Sequence, residues 1–281
     1  MPTVLVTGAA RGIGRAIVEH LASTGWDVIA GVRSEQDADA IVQVDPQRVS
    51  AVILDITNAD HIARLPGSLP ERLDALVNNA GIAVGGPVET VTPEEWRKVL
   101  DTNVIGQFAV TQAALPRLRE SRGRVVFISS VNGRIATPML GPYSASKFAL
   151  EAGCDALRIE LKGWGIPVVL VEPAQTDTDM WRTADDMVRQ IEAGLSPEQR
   201  DLYAKHIAGM KKFVPAARKM ASPTKKVVAV VEKALTARRP KARYVVALLP
   251  KIQTALAPNL PVGVRDRVLT MLVGLPRRPR A

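Results

Sequence analysis

The chain has 281 residues, 47% of them hydrophobic, and carries a net charge of +9 with one cysteine and three histidines. That apolar fraction is ample for a core, while a lone Cys154 excludes an intrachain disulfide and a cysteine-rich metal site. His20, His61 and His206 stand without the spacing of a zinc set, so no metal is expected.

Short apolar runs alternate with helical patterns from one end to the other. Strands are expected near 3–6, 27–32, 49–54, 74–78, 124–128, 167–171 and 243–247, which predicts an α/β fold with a doubly wound parallel sheet. Runs such as Val125-Val-Phe-Ile128 and Val168-Val-Leu-Val171 suit central strands covered on both faces.

The first strand, Thr3-Val-Leu-Val6, leads into Thr7-Gly-Ala-Ala-Arg-Gly-Ile-Gly14 and then into an amphipathic segment, Ile13 to Leu21. Gly8, Gly12 and Gly14 allow a tight turn and a close approach of backbone to a pyrophosphate. Ile13 and its neighbours open the helix whose N-terminal amides would meet that charge. A dinucleotide is the ligand such a loop fits. The ending lacks the Gly-Lys-Ser/Thr of a phosphate-hydrolysing loop.

The second strand, Val28-Ile-Ala-Gly-Val32, ends in Arg33. An acidic residue there would accept bonds from a ribose diol and repel a 2′-phosphate, whereas Arg33 together with Arg11 presents positive charge. Asp27 lies at the wrong end of that strand and Glu35 two residues past Arg33, so both are set aside and NADP(H) is preferred over NAD(H).

Further along, Thr92-Pro-Glu-Glu95 supplies a capping box with proline at the first helical position, opening a helix that leads to Asn103. In Pro142-Tyr-Ser-Ala-Ser-Lys147, Tyr143 and Lys147 fall one helical turn apart, where the ammonium would favour the phenolate.

The glycine loop, Asn78-Asn-Ala-Gly81, Asn103, Ser130, and Tyr143 with Lys147 occur in an order that resembles the classical short-chain dehydrogenase/reductase family, nearest in style to retinol and hydroxysteroid dehydrogenases. The likeness covers residues 1–180 well and continues loosely to about 247. It implies a Rossmann-type, three-layer α/β/α fold with a mostly seven-stranded parallel sheet and a helical C-terminal extension, all one domain over residues 1–281. By that resemblance Tyr143 is the acid/base, and Lys147 binds the nicotinamide ribose. Ser130, 13 residues before Tyr143, holds the substrate oxygen with Ser129 as its rival, and the main chain of Asn103 anchors a relay water. Asp55 and Ile56 would flank the adenine, Asn79, Ala80 and Gly81 would line the cofactor as backbone, and Pro173 would precede the nicotinamide contact. In Glu172-Pro-Ala-Gln-Thr-Asp-Thr178, Ala174 replaces the family's glycine and restricts the backbone, and Thr176 or Thr178 would meet the carboxamide, Thr176 being preferred.

Residues 178–222 take the family's substrate-lid position. Their Met180, Trp181, Met187, Met210 and Phe213 would line a wide apolar pocket for a bulky hydrophobic substrate. Residues 205–281 hold 18 Lys/Arg against two acids, a balance of +16, whereas residues 1–204 hold 19 against 26, a balance of −7. With Phe213 and Tyr244 as its only aromatics, that basic region offers no stacking platform, and no nucleic acid partner is expected. The apolar runs Val245–Leu249 and Val268–Val273, with Lys251, Arg265, Arg267, Arg277, Arg278 and Arg280 among and beyond them, read as an interfacial helix within a 248–281 extension.

The first apolar run is too short for a secretory segment and nowhere do about 18 apolar residues run uninterrupted, so a cytoplasmic location is expected, with peripheral membrane association through the tail as the variant reading. A homodimer or homotetramer through the helices after Asn103 and Tyr143 is implied by the resemblance. The expected activity is NADP(H)-dependent interconversion of an alcohol and a ketone or aldehyde on a lipid-, steroid- or retinoid-like substrate. The alternative is a catalytically idle NADP-binding sensor or scaffold.

Overall fold

A computed structural model of the chain describes residues 1–178, 183–272 and 274–275. Seven strands, β1 (Thr3–Thr7), β2 (Asp27–Val32), β3 (Val49–Ile53), β4 (Ala75–Asn78), β5 (Arg124–Ile128), β6 (Val168–Glu172) and β7 (Arg243–Val245), form one sheet in the order β3-β2-β1-β4-β5-β6-β7. All pairings are parallel, with Val4 opposite both Val28 and Ala75.

Side chains on β1 show why the sheet is covered twice. Val4 and Val6 enter a core cluster with Ile17, Val18 and Leu21 of α1 (Gly12–Ser23), Ile41 of α2 (Glu35–Val42) and, farther down the chain, Val227 and Val231. Leu5, between them, points to the opposite cluster, where it joins Leu65 of α3 (Ala59–Ser68), Val110 and Leu118 of a later helix, and Leu150. Period-2 alternation on a strand thus feeds two apolar layers, the α/β/α arrangement expected from the pattern.

The capping box forms as expected at α4 (Pro93–Leu100): Glu95 N donates to Thr92 Oγ1 at 3.2 Å and Thr92 N donates to Glu95 Oε2 at 2.9 Å. A π-helical stretch, Asp101–Ile105, joins α4 to α5 (Gly106–Ser121), and Asn103 sits fully buried in it. After β5 comes α6 (Gly141–Glu160), which carries Tyr143 and Lys147.

Beyond β6 lie α7 (Ala184–Gly194), α8 (Pro197–Lys219) and α9 (Thr224–Thr236), the last packing on α1. Strand β7 stops at Val245 rather than 247, because Ala247 takes φ 73° and turns the chain into α10 (Leu248–Leu256). The single interfacial helix expected here is instead two short ones. A 3-10 turn at Ala257–Asn259 and then Pro261 separate α10 from α11 (Val262–Leu272), since proline cannot continue the ladder. Val273 and Arg277, Arg278 and Arg280 lie outside the described residues. Among the described residues, no helix is long and apolar enough to cross a membrane, and no group of three His, Cys, Asp or Glu could hold a metal ion.

The strand order reverses between β1 and β4. In an open parallel sheet, the crevice at the carboxyl ends of those strands is where a ligand binds.

Candidate active site

At that switch point the loop after β1 is tied to the mouth of β4. Thr7 Oγ1 accepts hydrogen bonds from Asn79 N at 3.0 Å and Ala80 N at 3.1 Å, and Asn79 Nδ2 donates to Thr7 O and Gly8 O. Gly8 turns the chain at φ 63°. Gly14 has no room for a side chain, since a Cβ there would stand 2.2 Å from Gly8 O and 2.5 Å from Asn79 Nδ2. The glycine spacing therefore seats the first turn of α1 directly on the loop.

A cavity of about 1090 Å³ opens over this cradle. Of the residues singled out from sequence, Gly8, Arg11, Gly12, Ile13, Arg33, Asp55, Ile56, Asn79, Ala80, Gly81, Ser130, Tyr143, Lys147, Pro173 and Thr176 all line it. Gly14 and Asn103 do not; they act from behind the wall. Asn103 Nδ2 donates to Ile82 O and to Ser146 Oγ, both at 2.9 Å, and its Oδ1 accepts from Ile82 N at 2.8 Å. Those bonds pin the Asn78–Gly81 turn to α6, because Ser146 Oγ in turn donates to Tyr143 O at 2.7 Å.

Ser130 Oγ is engaged by Asn132 N at 3.1 Å and hydrogen-bonds the Tyr143 side chain. Ser129 also reaches the cavity wall, but its buried Oγ finds no hydrogen-bond partner among the described residues. The contact with Tyr143 separates the two serines as the 13-residue spacing did.

Lys147 is buried and donates from Nζ to Ile128 O at 2.9 Å, with Nζ 5.9 Å from the Tyr143 ring centroid. Burial pulls its ammonium down to about 8, against the charge of Glu151. The Tyr143 phenol moves the other way. The sequence led to an expectation that Lys147 and the positive nicotinamide of a bound oxidised cofactor would both lower it; in the protein alone burial raises it above its ordinary value, and the bond with Ser130 offsets only part of that. Desolvation of a group that must become an anion outweighs the influence of an ammonium held by a backbone carbonyl.

At the other end of the cavity, Arg11 and Arg33 are exposed and converge on the wall, whereas Glu35 does not line it and Asp27 sits at the far end of β2, 3.5 Å from Arg48. Burial opposes ionisation of Asp55, but hydrogen bonds from Thr57 N and Oγ1 and the charges of Arg33 and His61 outweigh it and hold the carboxyl below its usual value. Sequence reasoning missed Asp37, which also lines this end from the first turn of α2, with Ser34 capping it. It missed Gln107 as well, whose Nε2 donates to Ala80 O at 2.7 Å. Neither belongs to a short motif, so only the packing of α2 and α5 reveals them.

Between β6 and α7, Ala174 keeps out of the positive-φ region, so the loop accepts the missing glycine without left-handed strain. Thr176 and Thr178 both reach the cavity. Thr176, 3% exposed, bonds Ala174 O at 3.1 Å, and Thr178 stands against Gly12, where a Cβ would meet it at 3.7 Å. From above, Met187, Val188, Met210, Phe213 and Val214 close the space. Met210 and Val188 also belong to a small core cluster with Met139, Leu195 and Ile207, so they serve packing and lining at once. Met180 and Trp181 lie outside the described residues.

The glycine cradle and the two arginines fit an anionic dinucleotide: Gly12 takes φ 57° at the cavity wall, and Arg11 and Arg33 bring cationic side chains to the β2 end, where Asp37 and Asp55 also stand.

Comparison with known proteins gives the same frame. The sequence model of short chain dehydrogenase matches residues 2–189. An NADPH-dependent 3-dehydrocapnine reductase of Ornithobacterium rhinotracheale is 36% identical over 259 residues, covering 88% of each chain. Retinol dehydrogenase 5 of Mus musculus is 33% identical, covering 97% of this chain and 89% of its own. The crystal structure of a short chain dehydrogenase from Burkholderia cenocepacia in complex with NADP superposes with a TM-score of 0.74 at 26% identity, over 98% of both chains. With the cradle, the Ser130–Tyr143 contact and these likenesses together, the chain belongs to the short-chain dehydrogenase/reductase family of oxidoreductases.

Proposed function

We propose that this oxidoreductase uses NADP(H) to interconvert an alcohol and a ketone or aldehyde on a hydrophobic, lipid-, steroid- or retinoid-like substrate, with reduction as the cellular direction. The observation that carries the reading is the convergence of Ser130, Tyr143 and Lys147 on the same cavity as Arg11 and Arg33, under an apolar roof of Met187, Val188, Met210 and Phe213.

The dinucleotide would be held by the Gly8–Gly14 loop, Asp55 and Ile56, the Asn79–Gly81 backbone, and Pro173 and Thr176, with Arg11 and Arg33 toward the 2′-phosphate. Bound there, it supplies or accepts the hydride. The rest falls to the side chains. Ser130 donates toward the substrate oxygen and polarises the carbonyl. Tyr143, kept protonated by burial, gives its proton to that oxygen as charge develops. Lys147 stabilises the phenolate left behind. The apolar side chains of the roof favour bulky apolar groups on the substrate.

Two features of the surface support further parts of the reading. Leu248, Leu249, Ile252 and Leu256 on α10 and Val262, Val264 and Met271 on α11 are exposed beside Lys251, Arg265 and Arg267, a composition suited to peripheral contact with an anionic membrane. Exposed Ile105, Phe148 and Ile159 near α5 and on α6 favour a homo-oligomer through those helices.

The test is NADPH consumption, run beside NADH, on a panel of retinoid, steroid, fatty and small polar carbonyls. Turnover of a bulky apolar carbonyl with NADPH supports the reading. Preference for NADH would overturn the cofactor assignment, preference for small polar carbonyls the roof assignment, and tight NADPH binding without turnover would favour the sensor alternative.

A further inference from the structure

Behind Lys147, a buried charged cluster faces away from the cavity. Glu151 lies one turn along α6 and is 5% exposed; its Oε2 accepts from Arg243 Nε at 2.9 Å, while its Oε1 has no hydrogen-bond partner among the described residues. The same guanidinium donates to Asp155 Oδ2 at 2.6 Å and stands 3.4 Å from Glu172 Oε1. Glu172 is fully buried and, among the described residues, its polar neighbours are the Arg243 guanidinium and Arg134 Nη1, the latter at 3.7 Å. Asp155 is also paired with Arg158 at 2.7 Å.

Each member comes from a segment that also builds the active site. Glu172 is the last residue of β6, immediately before Pro173. Arg134 follows the turn opened by Ser130. Glu151 and Asp155 share α6 with Tyr143 and Lys147, and Arg243 comes from β7. Lys147 and Glu151 stand four residues apart on α6, both buried, and Gly133 packs closely on that turn, where a Cβ would meet Glu151 Cγ at 2.8 Å and the Lys147 carbonyl oxygen at 3.1 Å.

Among the described residues, no carboxylate lies within ion-pair distance of the Lys147 ammonium, which is buried against the Ile128 carbonyl. A charge so placed needs a compensating field from farther off. We infer that Glu151 is a positioning residue of the reaction: its carboxylate, fixed by Arg243, keeps the buried Lys147 charged beneath Tyr143. This rests on the functional reading given above.

The charge balance agrees. Lys147 is pulled down to about 8 by burial, and Glu151 heads the groups resisting that fall. Burial raises Glu172 to about 7, and Glu151 adds to the rise, while Arg134 and Arg243 oppose it. The groups facing this pair are therefore Lys147, Cys154 and Asp155 from α6, Arg134 after β5, and Arg243 from β7. Glu172 competes with Glu151 for the same guanidinium, so its ionisation weakens the hold on Glu151.

The experiment is the pH profile of kcat/KM for carbonyl reduction in the wild type, Glu151→Gln, Glu151→Asp and Glu172→Gln, with thermal unfolding measured alongside. Wild-type activity falls as pH rises through the loss of the Lys147 proton. In Glu151→Gln that alkaline limb moves down by about one pH unit, a loss of roughly five-fold at pH 8 that approaches tenfold at higher pH, with little change at pH 6. Glu151→Asp restores the wild-type limb, and Glu172→Gln leaves it in place or raises it. An equal loss at every pH in Glu151→Gln, with the limb unmoved, overturns the inference and leaves Glu151 a structural tie between α6 and β7. If Glu151→Gln does not fold, a downward shift in Glu172→Gln overturns it instead. A wild type without turnover on any carbonyl breaks the functional reading, and the same comparison is then made on the pH dependence of NADPH affinity, where an unmoved limb again overturns the inference.

Discussion

The cradle and the roof of the cavity are held by different forces. In the cradle, Thr7, Asn79, Asn103 and Gln107 make short hydrogen bonds to backbone groups 21 to 73 residues away in sequence, largely shielded from water. The roof helices α7 and α8 are tied at their edges by exposed pairs, Arg218 with Asp185 at 3.0 Å, Lys211 with Glu192 at 2.7 Å and Tyr203 Oη to Glu89 at 2.6 Å, around a small cluster rich in methionine and valine. Buried polar bonds leave unsatisfied groups when one partner is removed, whereas exposed pairs exchange for water at little cost. One wall is thus specified by buried polar bonds, and the other by apolar packing with exchangeable pairs at its edges.

Substitutions can widen or erase that contrast. The largest effect is expected for Gly14→Ala, whose Cβ would collide with Gly8 O and Asn79 Nδ2. A loss of about 3 kcal/mol or more in unfolding free energy follows, together with loss of NADPH binding, by denaturant titration and fluorescence. A Gly14→Ala variant that stays stable and still binds NADPH would contradict the rigid cradle.

Next comes Glu172→Gln. The folded carboxyl is raised to about 7 from an ordinary 4.5, so the native state binds more protons than the unfolded chain between those values, and wild-type stability falls as pH rises through that window. The glutamine variant lacks this loss. Its stability relative to wild type therefore improves from pH 4.5 to pH 8, by at most about 3 kcal/mol, as measured by thermal unfolding across pH.

Removing both cofactor arginines, Arg11→Ala with Arg33→Ala, is expected to weaken NADPH about tenfold or more while leaving NADH affinity within a few-fold, since only the 2′-phosphate loses charge-assisted partners. Equal weakening of both cofactors would mean that these arginines contact the shared pyrophosphate instead. Smallest is Tyr203→Phe, which deletes the exposed bond to Glu89; a change of less than about 1 kcal/mol in stability is expected, with any kinetic effect confined to KM.

The same contrast explains how much was legible in the sequence. The cradle announced itself because its motifs are short, although the bonds that join them are long-range: Gly8, Gly12 and Gly14 are set by one turn, and Tyr143 and Lys147 by one helical repeat. Strand positions were readable because the sheet is buried on both faces, as Val125–Ile128 shows. The end of β7 was not, because Ala247 turns at a positive φ that no glycine signals. Glu151, Glu172 and Arg243 escaped notice for a different reason: they are 21 to 92 residues apart and meet only when α6, β6 and β7 pack together. Tyr143 does line the cavity, but the upward shift of its phenol in the protein alone was not legible, because burial cannot be judged from a neighbouring lysine.

That shift bears on the most direct test, which compares Tyr143→Phe with the wild type for both NADPH affinity and turnover of the best carbonyl found. Removal of the proton donor alone should lower kcat by about 10²–10⁴-fold while NADPH binds as tightly as before. Turnover that survives in Tyr143→Phe at close to the wild-type rate would contradict the assignment of the acid and, with it, the reading of the cavity as a reductase site.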